Sequence, residues 1–117
     1  MRSRDRAAKT LGHEGEDVAA DYLRSLGYTI VQRNFRGPGG EIDIIARDGD
    51  VIVFVEVKAR RSRAYGSALA AVDARKRRRI RAVAEDYLQF FFPTMKARFD
   101  VLAIDGPTLR LHRGAFA

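Results

Sequence analysis

The first clear periodicity along the chain is helical. Val18, Ala19, Tyr22, Leu23 and Leu26 recur at three- and four-residue intervals, and Gly27 stands where a C-terminal cap belongs. This predicts a helix from about His13 to Leu26. The pattern then changes. Tyr28 to Phe35 is rich in β-branched and aromatic residues and ends at Gly37-Pro38-Gly39-Gly40, a turn with no helix after it and so not a phosphate loop. Glu41 to Ala46 and Val51 to Lys58 are the next two strands, separated by the hairpin signal Asp48-Gly49. A second helix is expected from about Ser67 to Phe91. Its buried stripe reads Leu69, Val72, Ile80, Val83, Ala84, Tyr87, Leu88 and Phe91, and Pro93 stops it. Phe99 to Ile104 is a fourth strand, and Leu109 to His112, after the Asp105-Gly106-Pro107 turn, is a short fifth.

The order α-β-β-β-α-β-β constrains the topology. Strands joined by short turns pair antiparallel, whereas the second helix is a crossover that lets the fourth strand run parallel to the third. The expected architecture is an α/β domain of three layers: a mixed sheet in order 1-2-3-4-5 with helices on both faces. At 117 residues there is room for one domain, placed at residues 12–117 behind a flexible basic N-terminus over 1–11. The longest apolar run, Val51 to Val55, is too short to span a bilayer, and no apolar stretch follows the charged N-terminus. A cytoplasmic location is expected. The absence of Cys excludes a disulfide framework, a thiolate zinc site and a Cys nucleophile. His13 and His112 stand at element ends without ligand spacing.

Charge sharpens this picture. Residues 59–81 hold nine basic side chains and one acid, a net +8, so this one band carries the whole excess positive charge and the rest of the chain is close to neutral. Such a band fits a phosphate backbone. Arg60, Arg61, Arg78 and Arg79 are candidate nucleic-acid contacts. Lys76, four residues after Val72 and four before Ile80, falls on the inward stripe and is expected to reach the edge of a site.

The third strand carries the charges that do not belong. Glu56 and Lys58 share a face with Ile52 and Phe54 by alternation, at the end of a strand otherwise apolar on both sides. A two-residue Asp48-Gly49 loop would set Asp43 opposite Phe54, on that same face, with Glu56 as its diagonal neighbour at about 7–8 Å. A three-residue loop would turn Asp43 to the other face. Two converging carboxylates are the usual side-chain complement for Mg²⁺ or Mn²⁺, with a backbone carbonyl, here that of Val57, and waters completing the shell. Lys58 is placed to orient a water polarised by such an ion or to offset phosphate charge. Glu16, bordering the buried stripe of the first helix, is a further candidate, although acids are common at helix N-termini for electrostatic reasons alone. Asp100 interrupts the fourth strand and reads as a structural partner of Arg98.

These residues resemble a known family. Gly12-x-x-Gly15-Glu16-x-x-Ala19-x-x-Tyr22-Leu23, Gly40-Glu41-Ile42-Asp43-Ile44-Ile45-Ala46, Phe54-Val55-Glu56-Val57-Lys58-x-Arg60 and Arg98-Phe99-Asp100-Val101 resemble the bacterial YraN family over nearly the whole chain. That family is similar to the PD-(D/E)XK nucleases of restriction-endonuclease-like fold, among them archaeal Holliday-junction resolvases. The resemblance implies metal-dependent cleavage of DNA, with branched or junction DNA as the substrate by analogy. It puts the metal-binding Asp at Asp43, the second carboxylate at Glu56, the Lys at Lys58 and the helical Glu at Glu16. Ile42 stands where the signature's name has Pro. By the same analogy the chain acts as a homodimer, since a junction presents two equivalent strands. Two other readings stay open: a catalytically weak nucleic-acid-binding or assembly module, and an RNA- or ribosome-associated factor.

Overall fold

A computed structural model describes residues 15–60 and 72–116. The first helix, α1, covers residues 15–25 of that range. It closes as the sequence predicts. Gly27 takes φ +93° and donates its N–H to Arg24 O, and Tyr28 N–H reaches back to Leu23 O, the paired bonds of a Schellman end. Five strands follow the predicted order: β1 (Thr29–Gly37), β2 (Gly40–Asp48), β3 (Val51–Arg60), β4 (Lys96–Asp105) and β5 (Thr108–Phe116), with helix α2 (Ala74–Phe91) between β3 and β4. They form one mixed sheet in order β1-β2-β3-β4-β5, parallel only between β3 and β4.

Each helix covers a separate core. On one face Ala19, Ala20 and Leu23 of α1 pack with Ile44, Val53, Val55 and Leu102. On the other Ile80, Val83, Ala84 and Tyr87 of α2 pack with Ile45, Ile52, Phe54 and Val101. β3 is therefore buried on both sides, which explains its unbroken apolar run. No helix among the described residues is long and apolar enough to cross a membrane.

Three expectations need correction. Val72 and Asp73 lie outside α2, because the Asp73 carboxylate caps it by accepting from Lys76 N–H at 2.9 Å. The region before Val72, with Leu69 and the predicted helix start at Ser67, lies outside the described residues, as does Arg61. Phe91 is 57% exposed rather than buried. The chain leaves the helix at Phe92, and Phe92 and Met95 fill the core in its place. β5 runs on to Phe116, which pairs with Phe99 and stacks on its ring at 4.9 Å; Gly114 (φ +59°) hides this extension by breaking the alternation.

Candidate metal and phosphate site

The β2–β3 hairpin turns on Gly49-Asp50, not on Asp48-Gly49. Asp48 pairs with Val51, and Gly49 takes the positive φ (+62°) at the first central position. This moves the register by two residues. Asp43 lies across from Glu56, one step beyond the Ile44–Val55 pair, and not across from Phe54. A shift of two preserves the face, so the two carboxylates converge more directly than the diagonal arrangement predicted.

Asp43 also marks a break in its strand. Ile44 and Ala46 pack beneath α1, whereas Ile42 packs beneath α2, so β2 turns over between them. Across from Asp43, between the pairs Arg33–Ile44 and Phe35–Ile42, Asn34 adopts φ 55°. Backbone pairing with β3 ends here, and Val57 N–H donates instead to Asp43 Oδ2 at 2.8 Å. In a strand a residue's N–H and C=O point to the same neighbour, so the Val57 carbonyl also faces Asp43.

The Asp43 and Glu56 carboxyls line the same cavity, close enough for each to act on the other's charge. Burial, followed by the neighbouring Glu56 carboxyl, pushes Asp43 up to about 8, against the smaller opposing pull of Val57 N–H and Lys76. Glu56 is 7% exposed and pairs with Lys76 of α2, Nζ to Oε2 3.2 Å. Burial, and then the neighbouring Lys76 ammonium, hold Lys58, on the face of Glu56, below its usual range. Burial pulls Lys76 down as well, but its contacts with Lys58, Glu56 and Asp43 outweigh burial and leave it raised. Asp43, Glu56, Lys76, Arg79 and Ile80 share a cavity of about 250 Å³ with the Gly39-Gly40 turn.

The remaining candidates are spread out. Glu16 does not line this cavity: it pairs with Arg33 at 3.7 Å, its Oε1 is buried without a hydrogen bond, and Arg33 binds Asp17 more closely at 2.8 Å. Gly15 nonetheless packs over Ala59, so α1 begins beside the end of β3. Arg78 and Arg79 are exposed on α2, and Arg60 closes β3. The contact between Lys76 and Glu56 had only a partial signal, the inward position of Lys76 on its helix. A larger cavity of about 610 Å³, walled by Phe35, Tyr87, Phe90 and Phe91, holds no converging carboxylates; the chemistry is in the smaller one.

No group of three or more His, Cys, Asp or Glu side chains gathers among the described residues. The donors at Asp43 fit a hard divalent ion all the same: two carboxylates from adjacent strands and a backbone carbonyl turned the same way.

The fold and the site together define a small α/β domain with paired acids and lysines where two central strands part. The model of the family described as "Uncharacterised protein family UPF0102" matches residues 15–104. The chain is 52% identical to a UPF0102 protein of Geotalea uraniireducens (89% of this chain, 84% of that protein) and 47% identical to one of Geobacter sulfurreducens (92% and 89%). It is 41% identical to one of Herminiimonas arsenicoxydans (93% and 88%). This chain belongs to the UPF0102, or YraN-type, family.

Proposed function

We propose that the protein is a Mg²⁺- or Mn²⁺-dependent DNA endonuclease of restriction-endonuclease-like fold, with branched or junction DNA as its substrate. The observation that carries this reading is the meeting of Asp43 and Glu56 where β2 leaves β3, with two lysines beside them. Asp43, Glu56 and the Val57 carbonyl would hold the ion. When bound, it supplies the Lewis acidity that makes water a nucleophile at neutral pH and offsets charge on the phosphate. Lys58, whose burial favours the neutral amine, can accept a proton from the attacking water. Arg79 at the cavity wall, with Arg78 on the same exposed helix surface, draws the phosphate backbone in.

A cleavage panel tests this. Duplex, single-stranded, flap and four-way DNA are incubated with each metal, beside Asp43→Asn. Metal-dependent cutting that disappears in the variant supports the nuclease; salt-sensitive binding without cutting of any substrate supports the binding module. The ion pair between Lys76 and Glu56 favours that second reading, because it already neutralises the carboxylate a metal would need.

A further inference from the structure

The site holds one more cation than its proposed chemistry requires. Lys58 projects from a central strand, at a position fixed by the parallel pairing of β3 with β4. Lys76 comes from the opposite wall, on the first turn of α2, and reaches Glu56 Oε2 at 3.2 Å. The two ends of that ion pair differ in freedom. The Glu56 side chain is 6% exposed and rooted in β3, whereas the Lys76 side chain is 29% exposed on a four-carbon stem. If one of them moves, it is the lysine.

A Mg²⁺ ion coordinated by Glu56 would sit about 2.0–2.1 Å from a carboxylate oxygen, and Mn²⁺ similarly close. An ammonium bonded to the same carboxylate would then face a double positive charge across a few ångströms of a cavity of about 250 Å³. Like charges that close beside a largely buried carboxylate repel. The ion and the ammonium therefore compete for the single negative charge of Glu56.

We infer that Lys76 is an internal competitor for the metal: its ammonium occupies the Glu56 carboxylate in the metal-free protein and has to swing away for a divalent ion to bind. This rests on the reading of Asp43 and Glu56 as metal ligands and deepens it by naming what regulates their loading. The competition follows from charge and position. Removing the positive charge while keeping the length of the side chain should therefore tighten metal binding, whereas the loss of a mere phosphate contact would leave it unchanged.

The test measures metal affinity, not turnover. The full chain is titrated with Mn²⁺ without DNA, free ion being followed by electron paramagnetic resonance, for wild type, Lys76→Met, Lys76→Gln, Lys76→Arg and Asp43→Asn. Lys76→Met and Lys76→Gln are expected to bind Mn²⁺ at least about tenfold more tightly than wild type. Lys76→Arg, which keeps the charge, should stay near wild type. Two uncharged variants guard against misfolding of either one, checked by circular dichroism. Unchanged or weaker binding in both, with the ion still lost in Asp43→Asn, overturns the competition and leaves the metal site standing. Equal binding in wild type and in Asp43→Asn, alone or combined with Lys76→Met, overturns the metal site and the competition with it.

Discussion

Two clusters of buried charge lie on opposite faces of the same sheet, and they solve the same problem in opposite ways. Asp100 of β4 is fully buried beneath α1, yet its carboxylate has a donor on every side. Arg98 donates from Nε at 2.9 Å and from Nη2 at 3.2 Å, Gly114 N–H donates at 3.0 Å, and the Tyr28 hydroxyl donates at 3.2 Å. Tyr28 Oη in turn accepts from Arg98 at 2.6 Å and from Arg113 at 3.1 Å. Every lone pair has a use, and the planar fork of an arginine closes the arrangement. On the α2 face the Asp43–Glu56 pair has two acids sharing one contact, a lysine held below its usual range and an open cavity. Saturated charge is architecture; charge less fully partnered, next to a cavity, is where a ligand site is proposed.

The sharpest way to break this contrast is to neutralise one acid in each cluster. Asp43→Asn should reduce metal-dependent cleavage by more than about a thousandfold. It should leave stability unchanged or slightly raised, because it relieves a repulsion. Asp100→Asn should do the reverse, lowering stability by about 3 kcal/mol, since the amide puts an N–H where the fully buried carboxylate accepted from four donors, although Arg98 keeps its ion pair with Asp48. Denaturant unfolding measures one and the cleavage panel the other. Equal loss of stability in both variants would remove the distinction. Tyr28→Phe sharpens the structural side. It deprives Asp100 of one donor and the two arginines of a shared acceptor, and it should lower stability by about 1.5–3 kcal/mol with cleavage intact.

Much of this was legible beforehand, for identifiable reasons. The pairing of Asp100 with Arg98 was readable because two residues along one strand share a face. Tyr28 lies 72 positions from Asp100, Asp48 lies 50 from Arg98 and Arg113 lies 85 from Tyr28, so the residues that complete that cluster leave no local periodicity to read. The face of Asp43, Glu56 and Lys58 was readable because a two-residue slip preserves parity. The register itself was not, since Asp48-Gly49-Asp50 offers two overlapping two-residue turns and only the backbone angle of Gly49 separates them. Phe91 misled because helical spacing gives the direction of a side chain but not the point where the sheet beneath it ends.

Acidity offers a subtler probe of the same contrast. The folded value for Asp43 is raised from 3.8 to about 8, so the folded state binds this proton more tightly than the unfolded chain does. Its contribution to stability is complete below 3.8 and is lost as pH rises through about 8. Glu56 of β3 and Lys76 and Arg79 of α2 face the same cavity, with Lys58 of β3 beside Lys76, so the informative quantity is a difference between proteins. With chelator present, wild type should lose more stability than Asp43→Asn between about pH 5 and about pH 9. Parallel curves would mean that Asp43 ionises as an ordinary surface carboxylate and that its contact with Glu56 is loose.

The smallest effect concerns charges that belong to neither cluster. Arg78 is exposed on α2, outside the cavity, and its only proposed part is to neutralise phosphate. Arg78→Ala should leave stability within about 0.5 kcal/mol of wild type. It should weaken DNA binding similarly for every sequence and reduce the slope of log affinity against log salt by about one. Arg79, which lines the cavity, should do that and more: if the proposed site is right its contact falls near the scissile phosphate, and Arg79→Ala should also slow cleavage at saturating DNA. If both variants lose only affinity, the basic surface ends before the cavity does, and attraction of the polymer is separate from the positioning of the bond to be cut. If Arg79→Ala alone slows turnover, the boundary between holding DNA and acting on it falls within a single turn of α2, between neighbouring residues of the same kind.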